Sequence, residues 1–185
     1  MIARLPRLFV LAGTKRGLWA LAALTLLSGA AMLPALVTMA DHGASVLAFE
    51  SAGSVARSRE ILAEWGSAGK TAMWWQLVLD TPFLLGYGLF LAGACAAVER
   101  RAARVGATSI EQVALAFAWL GPIAAAADLL QNVSLALVLS GHVDQPWPRI
   151  AAVAGMTTTS LCAIAALFAL AGIVTTRRRA VNVDG

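Results

Sequence analysis

The chain has 185 residues, 59% hydrophobic and 13% charged, with a mean hydropathy of +0.77 and a net charge of +4. Soluble domains carry about 25% charged residues, so this composition excludes an ordinary soluble domain and points to one integral membrane domain over residues 1–185. The basic residues sit in short flanks rather than on one folded face, which argues for topology determinants facing anionic lipid and against a nucleic-acid partner.

Residues 1–16 hold Arg4, Arg7, Lys15 and Arg16 around the short apolar piece LFVLAG. That piece is too short to span, and its expected place is along the membrane surface or in a disordered tail. The first span is predicted at 17–40, an uncharged run too long for a signal-peptide core. A polar connection follows over 41–70. Within it, 54–65 reads as an amphipathic helix with Val55, Leu62 and Trp65 on one face, ended by Gly66 and Gly69. Two readings of that helix stay open: a segment that closes the connection, or a lid over the mouth of the bundle.

The second span is predicted at 71–98, with Trp74 and Trp75 as an interfacial belt near its start. It carries one acid, Asp80, directly before Thr81 and Pro82. A charge beside a helix breaker inside an apolar span is costly. A basic loop with Arg100, Arg101 and Arg104 leads to Ser109-Ile110-Glu111-Gln112, which fits a capping box with Ser109 as N-cap. The third span, 113–140, has Gly121-Pro122 and again one acid, Asp128, followed by Gln131 and Asn132. After a proline-rich turn the fourth span, 150–176, carries Thr157, Thr158, Thr159 and Ser160 but no charge, and Arg177, Arg178 and Arg179 open the tail. The expected fold is all-α: a four-helix transmembrane bundle with a short amphipathic helix in its first outer loop.

Orientation follows from the basic flanks. With the N-terminus in the cytoplasm, the inner segments hold Arg4, Arg7, Lys15, Arg16, Arg100, Arg101, Arg104 and Arg177 to Arg179, whereas the outer ones hold Arg57, Arg59, Lys70 and Arg149. The bias places both termini on the cytoplasmic side.

At 1.5 Å per residue from the outer end of each span, Asp80, Asn132 and Thr157 lie at a depth of roughly 12 Å, Asp128 and Ser28 at roughly 18 Å, and Tyr87 at roughly 22 Å. The polar residues of four spans thus fall in one band near the midplane. Asp80, Leu84 and Tyr87 share a helix face, as do Asp128 and Asn132. The candidate site is a buried polar pocket of Asp80, Asp128, Gln131, Asn132 and Tyr87, with Ser28, Thr81, Thr157 and Ser160 as further members. The spans contain two carboxylates and no Lys, Arg or His. Three states answer that balance: both acids protonated, one proton shared, or a cation held between them.

Three functions fit. The leading one is binding or transport of a small cationic or hydroxylated amphiphile, or of protons, at the two-Asp pocket. A structural or assembly subunit is the second, because small-residue faces such as Ala114, Ala118, Gly121 and Ala125 suit packing inside the bundle, in a homo-oligomer or against another membrane protein. A lipid-modifying enzyme using the Asp pair as acid and base is the third, although no nucleophile–base pair or phosphate-binding loop accompanies the acids. Cys95 and Cys162 lie in apolar spans without ligand spacing, and His42 and His142 lie in loops. No cofactor and no metal is therefore expected.

The pieces FESAG, ILAEWG (61–66), LDTPFLLGYG (79–88) and ADLLQNVSL (127–135) resemble an uncharacterised family of small four-span bacterial membrane proteins. The last piece in that family more often has Glu where this chain has Gln131. The resemblance implies the four-span fold and no particular activity or ligand. A looser similarity of architecture alone connects the chain to the sterol-isomerase and sigma-2-receptor superfamily.

Overall fold

A computed structural model describes residues 6–183. The described residues form six helices in chain order: α1 (Arg7–Ala12), α2 (Lys15–Asp41), α3 (Val46–Glu50), α4 (Val55–Arg104), α5 (Thr108–Leu139) and α6 (Trp147–Val183). The chain is all-helical, with no strand among the described residues. Helices α2, α4, α5 and α6 are each long and apolar enough to cross a membrane; α2, α4 and α6 contain the predicted spans 17–40, 71–98 and 150–176, and α5 ends at Leu139, one residue short of the predicted 113–140. Their outward faces are apolar: Trp19, Leu26, Leu27 and Met156 are each 70% exposed or more. Such faces suit lipid rather than water, so the chain reads as a multi-pass membrane protein.

Helix α4 contains both the predicted 54–65 helix and the second span. It is broken at Gly66, whose φ of 55° and ψ of −147° lie outside helical space. The first piece covers 55–65, and Ser54 caps it by accepting from the Arg57 backbone N–H at 3.3 Å. The second piece runs unbroken from 67, which shortens the expected polar connection. Gly69 is thus inside a helix rather than ending one. A side chain there would run into Trp65, with Cβ only 2.7 Å from the indole Cγ. Helix α5 starts at Thr108, so Ser109 lies in the first turn rather than at the N-cap.

The helices divide into two compact units. Of the described residues, the first comprises 6–23, 85–125 and 159–183. Its core gathers Phe9, Ala92, Cys95, Ala96, Ala118 and Ala169. The LFVLAG piece is helical rather than disordered, with its glycine just past the helix end. It forms α1, buries Phe9 and sets that ring edge-on to Trp119 at 5.0 Å. Arg100 secures its end, donating to the carbonyls of Val10 at 3.4 Å and Gly13 at 2.5 Å. Small residues let α4 and α5 meet closely: a Cβ on Gly88 would lie 2.9 Å from that of Ala125, and one on Gly121 would strike the Gly88 carbonyl.

The second unit comprises Leu24–Leu84 and Ala126–Thr158. Its core is larger and holds Met39, Phe49, Ile61, Trp65, Met73, Leu135, Val138 and Ala151. Helix α3 has only five residues and cannot be stable by itself. It is held by tertiary contacts. Ser45 caps it, accepting from Ala48 N–H at 3.3 Å. Phe49 is buried against Trp65 with ring centroids 4.9 Å apart, and Trp65 Nε1 donates to the Ala44 carbonyl at 2.6 Å. Burying each such aromatic contributes about 1.5–3 kcal/mol, and this anchor fixes the position of the next residue, Glu50.

Candidate functional site

The predicted site residues of the second unit lie on α2 (Ser28), α4 (Asp80, Thr81), α5 (Asp128, Gln131, Asn132) and α6 (Thr157). Asp80 is 9% exposed and accepts a hydrogen bond at Oδ2 from Asn132 Nδ2 at 2.6 Å. That contact joins two spanning helices through a charge-assisted bond, the strong class of hydrogen bond. Gln131 is buried beside Gly155 on α6. A Cβ at 155 would lie 2.7 Å from Gln131 Nε2 and 2.9 Å from Oε1, so the amide lies on bare backbone that only glycine leaves open. Ser28 is buried, and its hydroxyl is spent on the Leu24 carbonyl at 2.8 Å. Gln76 lies one turn before Asp80 on the same helix face. It is 8% exposed, and its Oε1 accepts no hydrogen bond from the protein.

A third acid joins the two predicted ones. Glu50, at the end of α3, is half-buried, and its carboxyl is pushed up to about 7. Burial is the first cause, and the negative charges of Asp80 and Asp128 follow. Glu50 therefore shares its surroundings with both intramembrane acids. Among the described residues it makes no hydrogen bond or ion pair. Sequence reasoning left Glu50 in the polar connection. The signal that would have found it is the apolar run Val46 to Phe49, set between Ser45 and Gly53 in an otherwise polar stretch.

The other predicted members fare differently. Thr81 and Thr157 are exposed, and the Thr157 hydroxyl turns back to the Val153 carbonyl at 2.8 Å. Tyr87, half-buried, and Ser160, exposed, belong to the first unit, whereas Asp80, Asp128, Gln131 and Asn132 belong to the second. Within the second unit, Asp80 and Asn132 are joined directly, Gln76 lies one turn from Asp80, and Glu50 feels the charges of Asp80 and Asp128.

Two grooves of about 400 and 440 Å³ open on the second unit. One lies between α2 and α4, along Pro34, Thr38, Thr71 and Trp75. The other lies between α5 and α6, along Leu130, Ile150 and Val153, with Arg149 among its lining residues. Both are predominantly apolar, and none of the three carboxylates lines either. Among the described residues, no group of three or more His, Cys, Asp or Glu side chains is placed to hold a metal ion. Of the three acids, Asp80 accepts from the Asn132 amide, and Glu50 lies where the charges of Asp80 and Asp128 reach it.

No protein-family model matches the chain, and neither a curated protein nor a solved structure shows significant similarity to it.

Proposed function

We propose that this protein is a multi-pass protein of a bacterial cytoplasmic membrane, with both termini inside, that reversibly binds protons at Glu50, Asp80 and Asp128. The reading is carried by the place of Glu50, on a helix anchored by Phe49 where burial and the charges of Asp80 and Asp128 lift its carboxyl to about 7. A carboxyl at that value is half-protonated near neutral pH, as an acid that both accepts and releases a proton there must be. The spans offer no Lys, Arg or His as a fixed counter-charge.

The amphiphile reading is the less favoured of the two ligand classes. The two grooves described on the second unit are predominantly apolar and not lined by the acids, and Arg149 is among the lining residues of one of them. A cationic headgroup finds no complementary charge there. The orphaned acceptor of Gln76, one turn from Asp80, suits a site that gains a proton, because a protonated carboxyl is a donor. In the proposed orientation α3 lies on the outer side, so Glu50 is the group at which protons enter from outside.

The test is proton uptake by the purified protein in lipid, followed by potentiometry together with the carboxylic C=O stretch in infrared difference spectra. The wild-type protein takes up a proton with a midpoint near 7. Glu50→Gln loses that step, and Asp80→Asn or Asp128→Asn lowers its midpoint. A wild-type protein whose carboxyls all titrate in the ordinary acidic range would show the reading to be wrong.

A further inference from the structure

A second charged feature lies in the first unit and plays no part in the proposed proton binding. Arg101 and Arg104 stand three residues apart in the last turn of α4 and so share one face. With Val105 of the same stretch, and with Thr176 and Arg177 of α6, they line a groove of about 400 Å³. Thr176 is 2% exposed, and its hydroxyl is turned back onto the carbonyls of Gly172 at 2.8 Å and Ile173 at 3.2 Å. The polar groups left to meet a ligand are therefore the three guanidiniums, all on exposed residues. Among the described residues none of the three is in an ion pair.

We propose that this groove binds the headgroup of an anionic phospholipid, with preference for a headgroup that bears two phosphates. Three guanidiniums around one groove are a poor match for a neutral or zwitterionic headgroup. Arginine binds phosphate oxygens through paired, parallel N–H donors, a geometry that lysine does not offer. The volume exceeds the need of one phosphate and falls in the range of small-molecule sites. The groove lies at the ends of two helices long enough to span, which is where a headgroup sits and where basic inter-helical pockets meet anionic lipid. Acyl chains then continue along the exposed apolar faces below, which include Leu167, Leu170 and Val174 of α6.

The experiment is native mass spectrometry of the full-length protein released from nanodiscs. One set of discs contains diphosphatidylglycerol and the other phosphatidylglycerol at equal total charge, and thermal stability is read in parallel. The expected result is at least tenfold greater retention of diphosphatidylglycerol by the wild-type protein, a preference whose measurement needs no variant. Arg101→Gln with Arg104→Gln should lose that preference. Arg178→Gln with Arg179→Gln removes the same charge outside the groove and should keep it. Equal retention of the two lipids by the wild-type protein would overturn the proposal, as would equal loss in the two double variants, which means diffuse surface charge. Displacement of the lipid by inorganic pyrophosphate at comparable concentration would assign the groove to a soluble ligand instead and equally overturn it.

Discussion

Asn132 donates its side-chain N–H to Asp80 at 2.6 Å and so ties α5 to α4 across 52 positions of sequence. Both residues lie in segments where water is scarce, and a carboxylate that loses its donor there has no ready substitute. Asn132→Ala is expected to destabilise the fold by about 1–3 kcal/mol. Asn132→Asp is expected to cost more, because it sets a second carboxylate against the first. Thermal melting in detergent checks both, with Asp80→Asn in the Asn132→Ala background as the companion. If the bond carries the loss, that double variant recovers part of it, since no charge is left without a donor.

Glu50 gives the fold a pH dependence of known sign. Its folded value of about 7 lies above its ordinary 4.5. The folded state therefore holds its proton over a window in which the unfolded chain has released it. The stabilisation is fully present below the ordinary value, and it is lost as pH rises through about 7. The span between the two values corresponds to at most about 3 kcal/mol. Glu50→Gln mimics the protonated form. Its melting temperature is expected to match wild type in mild acid, exceed it above neutrality and show little slope between.

Gly66 is a test of backbone conformation alone. A Cβ there meets nothing within 4 Å, yet φ is positive and ψ is extended. Gly66→Ala is expected to cost about 1–3 kcal/mol without any steric clash. Gly66→Asn should lose a similar amount, because the conformation lies outside the left-handed helical region that asparagine tolerates. Melting curves of the two variants measure this directly.

Two helical glycines should respond in opposite directions to alanine. A Cβ on Gly121 would strike the backbone carbonyl of Gly88, which cannot step aside, and the expected cost is about 1–3 kcal/mol. A Cβ on Gly29 meets only Phe83, at 3.5 Å, an ordinary contact. Gly29→Ala should therefore be neutral or gain up to about 1 kcal/mol from helix propensity. Comparing the two in one detergent separates close helix packing from glycine content as such.

Long apolar runs made the four spanning helices legible, because composition alone decides between lipid and water over such lengths. Depth counting also placed Asp80 and Asn132 at one level, and a hydrogen bond joins them. Glu50 escaped that reading for a physical reason. A five-residue helix has too few turns to show a period, and its place depends on where Phe49 is buried rather than on its own pattern. Thr81 and Thr157 show that a polar residue at the right depth still turns outward when its hydroxyl can be spent on its own helix, as the Thr157 hydroxyl is.

The anchor of α3 also gives the molecule an optical property. Of six tryptophans, Trp65 has no exposed surface, whereas Trp19, Trp74, Trp75 and Trp119 are exposed. Its indole N–H is engaged by Ala44, and its ring lies on Phe49, the immediate neighbour of Glu50. Trp65 is thus an indole shielded from both lipid and water, and its emission comes from beside the helix that carries the acid. A shift of α3 as Glu50 gains or loses its proton is written in that light, with no label attached.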